Sequence, residues 1–348
     1  MIKVVRVESK NDVKDFVMFP FELYKGCEYW VPPIINEEID AMDKKKNPVF
    51  KNAEAEFYLA YKDNKIVGRI AAIINWVEIE EQKKNKLRFG WYDTIDDVNV
   101  SKALMDKVLE FGKSRKLEFV DGPVGFSNMD KAGLLIEGYD ELNTMITWYH
   151  YPYQKEHLNK LGFSKLAEWV EYKIKIFSAE EAPEKVKKFS KIIQKRYNLK
   201  VVNFKSTKEI IPYVDKMFEL LNVTYSNLQT YVTIKQYQID FYKEKFIKYI
   251  HPDFIKCCLD ENDNLIAFLI TMPSFSRALK KINGKIGLMG YFHLFKAQYF
   301  NDRVSLYLIG VDPKYQSKGV TAVIFNELQQ TFNNRGIVEV ETNPELVE

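Results

Sequence analysis

The sequence predicts a mixed α/β (α+β) chain built as two tandem copies of one unit, each a mixed, mostly antiparallel twisted sheet flanked by helices. Two observations carry this. An apolar hairpin, then a strand, a helix and a returning strand, occurs once over residues 57–121 and again over residues 254–341. The chain also has the material for two cores, with 348 residues of which 46% are hydrophobic and 28% charged.

Residues 1–52 carry Phe19-Pro-Phe-Glu-Leu-Tyr-Lys, Tyr29-Trp-Val-Pro-Pro and Asn47-Pro-Val-Phe. Their prolines favour extended or turn structure around a few short helical pieces. Phe57-Tyr-Leu-Ala-Tyr and the run from Ile66 to Ile74 flank an Asp-Asn turn, a hairpin signal. Leu87–Tyr92 reads as the next strand, and a helix near residues 100–114 places Ala103, Leu104, Val108 and Phe111 on one face. Glu118–Asp121 returns as a strand, followed by a loop-rich passage from Gly125. A short helix over residues 154–161 ends at Gly162, and Trp169–Ile176 alternates as a strand. Pro183 opens another helix, so the boundary is placed between residues 180 and 181, giving domains 1–180 and 181–348. The second half repeats the outline: Phe254–Leu259, a turn at residues 260–264, Leu265–Met272, an insertion near residues 273–302, Ser305–Val311, a helix from about residue 316 to 333, and Ile337–Glu341. Val320, Ile324, Leu328 and Phe332 keep one apolar stripe along that helix.

Charge and motifs exclude several classes. The 51 basic and 48 acidic residues are spread along the chain, a net +3 that predicts no general nucleic-acid or membrane surface. No basic-then-apolar leader opens the sequence, and the longest apolar run, Leu265–Met272, is far short of a spanning helix. Three cysteines, two of them adjacent at Cys257 and Cys258, make no disulfide framework. A cytoplasmic protein is the expectation. No G-x-G-x-x-G, no G-x-x-x-x-G-K-[ST], no G-x-S-x-G and no zinc-ligand spacing among the four histidines is present, so no metal is expected.

What remains is Ile309-Gly-Val-Asp-Pro-Lys-Tyr followed by Gln316-Ser-Lys-Gly-Val-Thr and a helix. A helix N-terminus offers unpaired N–H groups and a positive dipole end to a phosphate, and glycine lets the phosphate approach the backbone. This stretch resembles motif A of the GNAT acyltransferase superfamily, [Gln/Arg]-x-x-Gly-x-[Gly/Ala], with Thr321 in place of the usual Gly or Ala. The first half ends in Leu158-Asn-Lys-Leu-Gly-Phe, similar to that family's motif B, but its loop at Thr94-Ile-Asp-Asp has no Q-x-x-G and carries two acidic residues that repel a diphosphate. The run from Phe19 to Phe50 is similar to that of bacterial GNAT-like proteins. The resemblance implies two tandem GNAT-like acyl-CoA N-acyltransferase folds, with acetyl-CoA or coenzyme A as acyl donor. It implies that Ile309, Gly310 and Val311 bond the pantetheine arm, and that Gln316, Ser317, Lys318, Gly319, Val320 and Thr321 hold the pyrophosphate. The family's acid tyrosine falls past residue 348 in the second copy, so no catalytic residue is assigned.

Glu341 and Asn343 end the strand beside that cleft and are candidates for substrate contact or for positioning water; a surface charge is the plain alternative for Glu341. Tyr149, with His150, Tyr151 and Tyr153, lines either a cleft or a core. Asn128 and Asp130 sit in a small, polar loop that is either a binding loop or a structural turn. The expected activity is transfer of an acyl group to an amine on a small molecule or peptide, with no DNA and no membrane as partner. The alternatives are a degenerate tandem GNAT-like binding protein, or a Fem-type aminoacyl-tRNA-dependent transferase, whose tRNA groove the even charge spread does not advertise.

Overall fold

The structure is a computed structural model that describes the chain except residues 128, 179–180, 182–183, 227, 229, 247–249 and 348. In chain order the elements are β1 (Ile2–Arg6), α1 (Lys10–Leu23), α2 (Ile35–Met42), β2 (Ala53–Lys62), β3 (Lys65–Asn75), α3 (Trp76–Glu80), β4 (Lys86–Thr94), α4 (Val98–Ser114), β5 (Phe119–Asp121), α5 (Pro152–Lys160), β6 (Trp169–Val170) and β7 (Lys173–Lys175). Then follow α6 (Glu184–Arg196), β8 (Lys200–Asn203), α7 (Thr207–Tyr225), α8 (Gln236–Phe246), β9 (Ile255–Leu259), β10 (Leu265–Pro273), α9 (Ser276–Ile282), α10 (Leu288–Tyr299), β11 (Arg303–Val311), α11 (Val320–Arg335), β12 (Glu339–Glu341) and β13 (Glu345–Leu346).

The duplicated outline is real at the level of strand order. One sheet runs β1-β2-β3-β4-β5, and a second runs β7-β12-β11-β10-β9-β8. In each, four antiparallel strands are followed by a fifth that pairs parallel to the fourth, reached through one crossover helix, α4 or α11. The fourth strand of each copy also carries an irregularity. On β4 the register jumps between Arg69↔Asp93 and Ala71↔Gly90, with Trp91 in a left-handed backbone at φ 47°. On β11 it jumps from Ile270↔Leu308 to Thr271↔Leu306, which makes Tyr307 a bulge residue outside the β10 register. A bulge bends its strand and increases the local twist.

The crossover helices bury most of the stripes their spacing predicts. Leu104, Val108 and Phe111 of α4 enter the first core with Val100, while the expected Ala103 is only half-buried, and Val320, Ile324, Leu328 and Phe332 of α11 enter the second. The N-terminal region is more helical than the expected extended or turn structure around a few short helical pieces. It forms β1 and a fourteen-residue helix, α1, whose Ser9 and Asp12 make reciprocal capping bonds; Pro20 lies within it, and the Phe16 carbonyl four residues earlier accepts from Arg69 at 2.9 Å.

The chain divides into a first unit of residues 1–168 and 275–294 and a second unit of residues 169–274 and 295–348. The boundary lies ahead of the expected 180/181, because β6 and β7 pair with β13 and β12 of the second unit. The segment 275–294, expected in the second domain, joins the first: Gly284 accepts from the Ile35 N–H at 3.0 Å and lies against Phe21 and Ile35. Lys280 Nζ also reaches the Cys27 carbonyl at 3.0 Å.

Beneath the first sheet lies a fully buried ionic cluster. Arg88 makes a two-pronged bond to Glu78 at 2.6 and 2.7 Å, and Lys86 bridges Glu78 at 3.0 Å and Asp121 at 2.7 Å. Burial alone pushes the Glu78 pKa up, but the paired cations outweigh it and leave the carboxyl below its ordinary value. Removing one partner strands its counter-charge out of water. Arg88→Met is therefore expected to lower unfolding free energy by about 3–5 kcal/mol, read from urea denaturation.

Candidate functional site

β11 and β12 pair in parallel over only three residues, Arg303↔Glu339 to Ser305↔Glu341. Past Ser305 the bulge at Tyr307 turns β11 away, and its last residues run on to Val311 without β12 beside them. The Asp312 N–H bonds the Ile266 carbonyl at 2.8 Å, which fixes the alternation along the antiparallel β10–β11 ladder. By that alternation Phe268/Gly310 face each other through hydrogen bonds, whereas Ile309 and Val311 turn their N–H and C=O groups away from β10. Both residues thus present main-chain polar groups into the gap where β11 and β12 part. Gly310 is held for packing, since a Cβ there would lie 2.5 Å from the Phe268 ring.

The loop that follows is built to end the strand and start a helix in few residues. Asp312 Oδ1 accepts from the Lys314 N–H at 2.8 Å, capping a short 3-10 turn at Pro313–Tyr315. Gln316 folds its side-chain amide back onto the Val311 carbonyl at 3.1 Å. Ser317 and Gly319 both take left-handed backbone, φ 58° and 79°. Lys318 sets its ammonium over the rings of Tyr315 and Tyr197, at 5.5 and 5.7 Å. α11 then begins with Gly319 at its cap and no side chain bonded to its first turn, and no acidic residue there. Val320 is buried and Thr321 half-buried, so Val320 offers only its backbone.

One expectation about Gly319 changes. The space its missing side chain leaves is taken by α6, with Phe189 at 3.0 Å and Ile193 at 3.3 Å from a hypothetical Cβ. The glycine serves the turn and the packing of α6; what remains for an anion is the set of N–H groups at the start of α11.

Glu341 is not an exposed edge charge: it is 5% exposed, and Ser274 Oγ donates to its Oε2 at 3.3 Å. Burial raises its pKa against the smaller opposing pull of Ser274, Arg303 and Lys173. Asn343 lies two residues on. Its Nδ2 donates to the carbonyl of the bulge residue Tyr307, which fixes the amide orientation, and its Oδ1 is buried with no partner among the described residues. An orphaned buried acceptor costs about 1–3 kcal/mol, so such a group calls for a donor.

Tyr225, which no sequence pattern singled out, ends α7 and donates its hydroxyl to the Ile309 carbonyl at 2.8 Å, on the gap side of β11. Burial raises its pKa. Thr224 beside it reaches the Val311 carbonyl at 3.4 Å.

The candidates in the first unit have structural settings. Tyr149 is buried against Tyr24, its ring centroid 5.5 Å away, and its hydroxyl bonds the Tyr139 carbonyl at 2.9 Å. The Tyr24 hydroxyl in turn bonds Asp93 at 2.7 Å, and Asp93 pairs with Arg69 at 2.7 Å. Burial pushes the His150 pKa down to about 4, which keeps that imidazole neutral. Asp130 closes its own loop, accepting from the Ser127 N–H at 2.8 Å and the Ser127 hydroxyl at 3.2 Å. Asn128 lies outside the described residues.

The two copies differ in how their parting strands are finished. In the first, the Val124 N–H bonds the Phe89 carbonyl at 2.8 Å and a Cβ at Gly90 would lie 2.7 Å from the Val124 carbonyl, so residues 122–126 line β4 closely. Asp97 also caps α4, its side chain accepting from the Asn99 N–H at 3.0 Å. In the second, the chain after β12 turns aside: the Thr342 N–H bonds the Tyr172 carbonyl at 2.9 Å. The segment after β12 therefore does not line β11 as residues 122–126 line β4, and no side chain caps the start of α11.

Glu341 supplies a stability test. Its raised pKa means that ionisation opposes folding. The penalty is absent below the unfolded carboxyl value of about 4.3 and grows as pH rises through the folded value. Glu341→Gln is expected to match the native protein in unfolding free energy at pH 4 and to exceed it at pH 8, checked by denaturant titrations at the two pH values.

No family model matches the chain. It is 26% identical over 343 residues to Protein YghO of Escherichia coli (strain K12), covering 96% of this chain and 85% of that protein. It is 26% identical over 174 residues to Bacterial ceramide synthase of Caulobacter vibrioides, covering 49% of this chain and 45% of that protein. Among solved structures, a tandem GNAT protein from the clavulanic acid biosynthesis pathway superposes with a TM-score of 0.51 at 8% identity, over 99% of this chain and 90% of that one. The fold is a tandem GNAT-like fold.

Proposed function

We propose that this tandem GNAT-like protein is an acyl-CoA-dependent N-acyltransferase whose site lies in the second unit, where β11 and β12 part. The single observation that carries the reading is the coincidence, at one strand end, of an uncapped helix start, outward N–H groups and an orphaned amide oxygen. Coenzyme A would supply the acyl group as a thioester. The first-turn N–H groups of Gly319, Val320 and Thr321, with the positive end of α11, suit its diphosphate. The N–H groups of Ile309 and Val311 suit an extended amide-bearing arm laid beside the strand, in the manner of an added strand. Asn343 Oδ1 accepts an N–H, from that arm or from the acceptor amine.

Group transfer to an amine requires loss of its proton as the new N–C bond forms and protonation of the departing thiolate. Glu341 is the carboxylate we assign to take the proton, because burial has already raised its affinity for one. The Tyr225 hydroxyl, held on the Ile309 carbonyl, is the nearest donor assigned to the strand end. A relative named for ceramide synthesis supports an amine acceptor in particular, since a ceramide is an N-acylated long-chain amino alcohol. Acetyl-CoA and long-chain acyl-CoA are both donors to try.

The reading is tested by thermal melting with acetyl-CoA and with palmitoyl-CoA. A ligand at a hundred times its Kd stabilises by about 2.7 kcal/mol, a shift of several degrees. Thr321→Glu separates the cofactor site from general stability. A carboxylate in the first turn of α11 favours the helix by about 0.3–1 kcal/mol yet repels a diphosphate. The variant is expected to fold at least as well as the native chain and to lose the shift. Absence of any shift with either thioester at millimolar concentration overturns the proposal.

A further inference from the structure

Helix α10 is built inside out for a helix in water. Its inward positions Gly290 and Ala297 are small and buried, with Leu294 half-buried between them. Its outward positions carry the large apolar groups: Leu288 at 89% exposure, Met289, Phe292 at 57%, Phe295 and Tyr299, and Phe300 follows just past its end. A surface helix ordinarily places its apolar stripe on the core side, and a contiguous exposed apolar face of this kind marks an interaction surface. The charges along this stretch of sequence have one sign. From Leu265 to Asn301 the chain has no aspartate or glutamate, but holds Arg277, Lys280, Lys281, Lys285 and Lys296. Lys285 precedes the helix, Lys296 lies in its last turn, and both are exposed.

We propose that α10 docks this protein flat on an anionic lipid surface, its phenylalanines and Tyr299 at the headgroup boundary and its lysines on the phosphates. Charge complementarity selects that occupant over a second copy of the chain, since a two-fold contact through this face brings lysines against lysines. The length selects lying over spanning. Twelve residues make a helix of about 18 Å, whereas a crossing takes about 20 residues, and no described helix is long and apolar enough to cross a membrane. Exposed aromatics with flanking lysines are the composition of interfacial helices. The whole-chain charge of +3 averages this segment away. The inference does not depend on the acyltransferase reading, and its test uses no acyl-CoA.

The full chain is mixed with vesicles of phosphatidylcholine, alone or with phosphatidylglycerol, and floated on a density gradient. Binding is expected to the phosphatidylglycerol vesicles at low salt and to fall about tenfold in ~0.5 M salt as the charges are screened. Phe292→Ser with Phe295→Ser is expected to weaken binding at least about tenfold without lowering Tm, as both side chains are exposed. Lys285→Glu with Lys296→Glu is a second variant that leaves the apolar face intact and is expected to lose the preference for phosphatidylglycerol. No flotation with these vesicles at low salt overturns the proposal. So does equal binding by the variants, or a dimer in light scattering that the phenylalanine variant converts to monomer.

Discussion

The architecture of each copy turns on one limit: the fourth and fifth strands are parallel, joined by a single helix, and stay together for only three residues. A parallel pair has no hairpin to hold it in register. Once a bulge tilts the fourth strand, nothing brings the fifth back beside it. The crossover helix starts at the far end of the fourth strand, so its N-terminus sits at the open end of the gap. Unpaired strand N–H groups and unpaired helix N–H groups therefore meet by topology, before any particular side chain is chosen. A sheet face cannot leave so many main-chain groups dry and unsatisfied, and the two copies resolve this differently.

The first copy resolves it from within. Residues 122–126 lie on β4, Val124 takes the Phe89 carbonyl, and Asp97 caps α4 with its own carboxylate. Tyr24, Asp93 and Arg69 then consume the polar groups near the strand end in a buried network. The second copy has Gly319 where a side-chain cap would be, and β6 and β7 draw the chain after β12 away from the gap. One copy is lined by the chain that follows its fifth strand, whereas in the other α7 supplies Tyr225 and Thr224 to the carbonyls of Ile309 and Val311.

The sequence showed the parts of this that depend on local pattern. Hairpin turns, the stripes on α4 and α11, and the glycine at residue 319 are set by spacing and by backbone freedom, and each was readable. The bulge was not, because Ser305–Val311 alternates no differently with Tyr307 in or out of the ladder; pairing with β10 decides it. Tyr225 was hidden for a similar reason, since its partner is a main-chain carbonyl 84 positions away. Sequence left Glu341 between a cleft candidate and a surface charge because a strand end usually meets water, and its burial depends on Ser274 and the neighbouring strands. The membership of residues 275–294 was equally illegible, since its ties to Ile35, Phe21 and Cys27 join positions far apart in sequence.

The insertion that carries α9 and α10 sits between β10 and β11, the strand that bears the bulge and the N–H groups turned away from β10. In the first copy the corresponding connection, from β3 to β4, is occupied by the short helix α3 and a few loop residues, and its glutamate Glu78 is spent on the buried ionic cluster. The second copy thus replaces a connection that stabilises the core with one that presents apolar side chains outward. That exchange carries a cost, since exposed phenylalanines add nothing to folding and invite association. The two copies thus differ most in the connection that leads into the bulged strand, and core packing does not account for the apolar face that the second copy carries there.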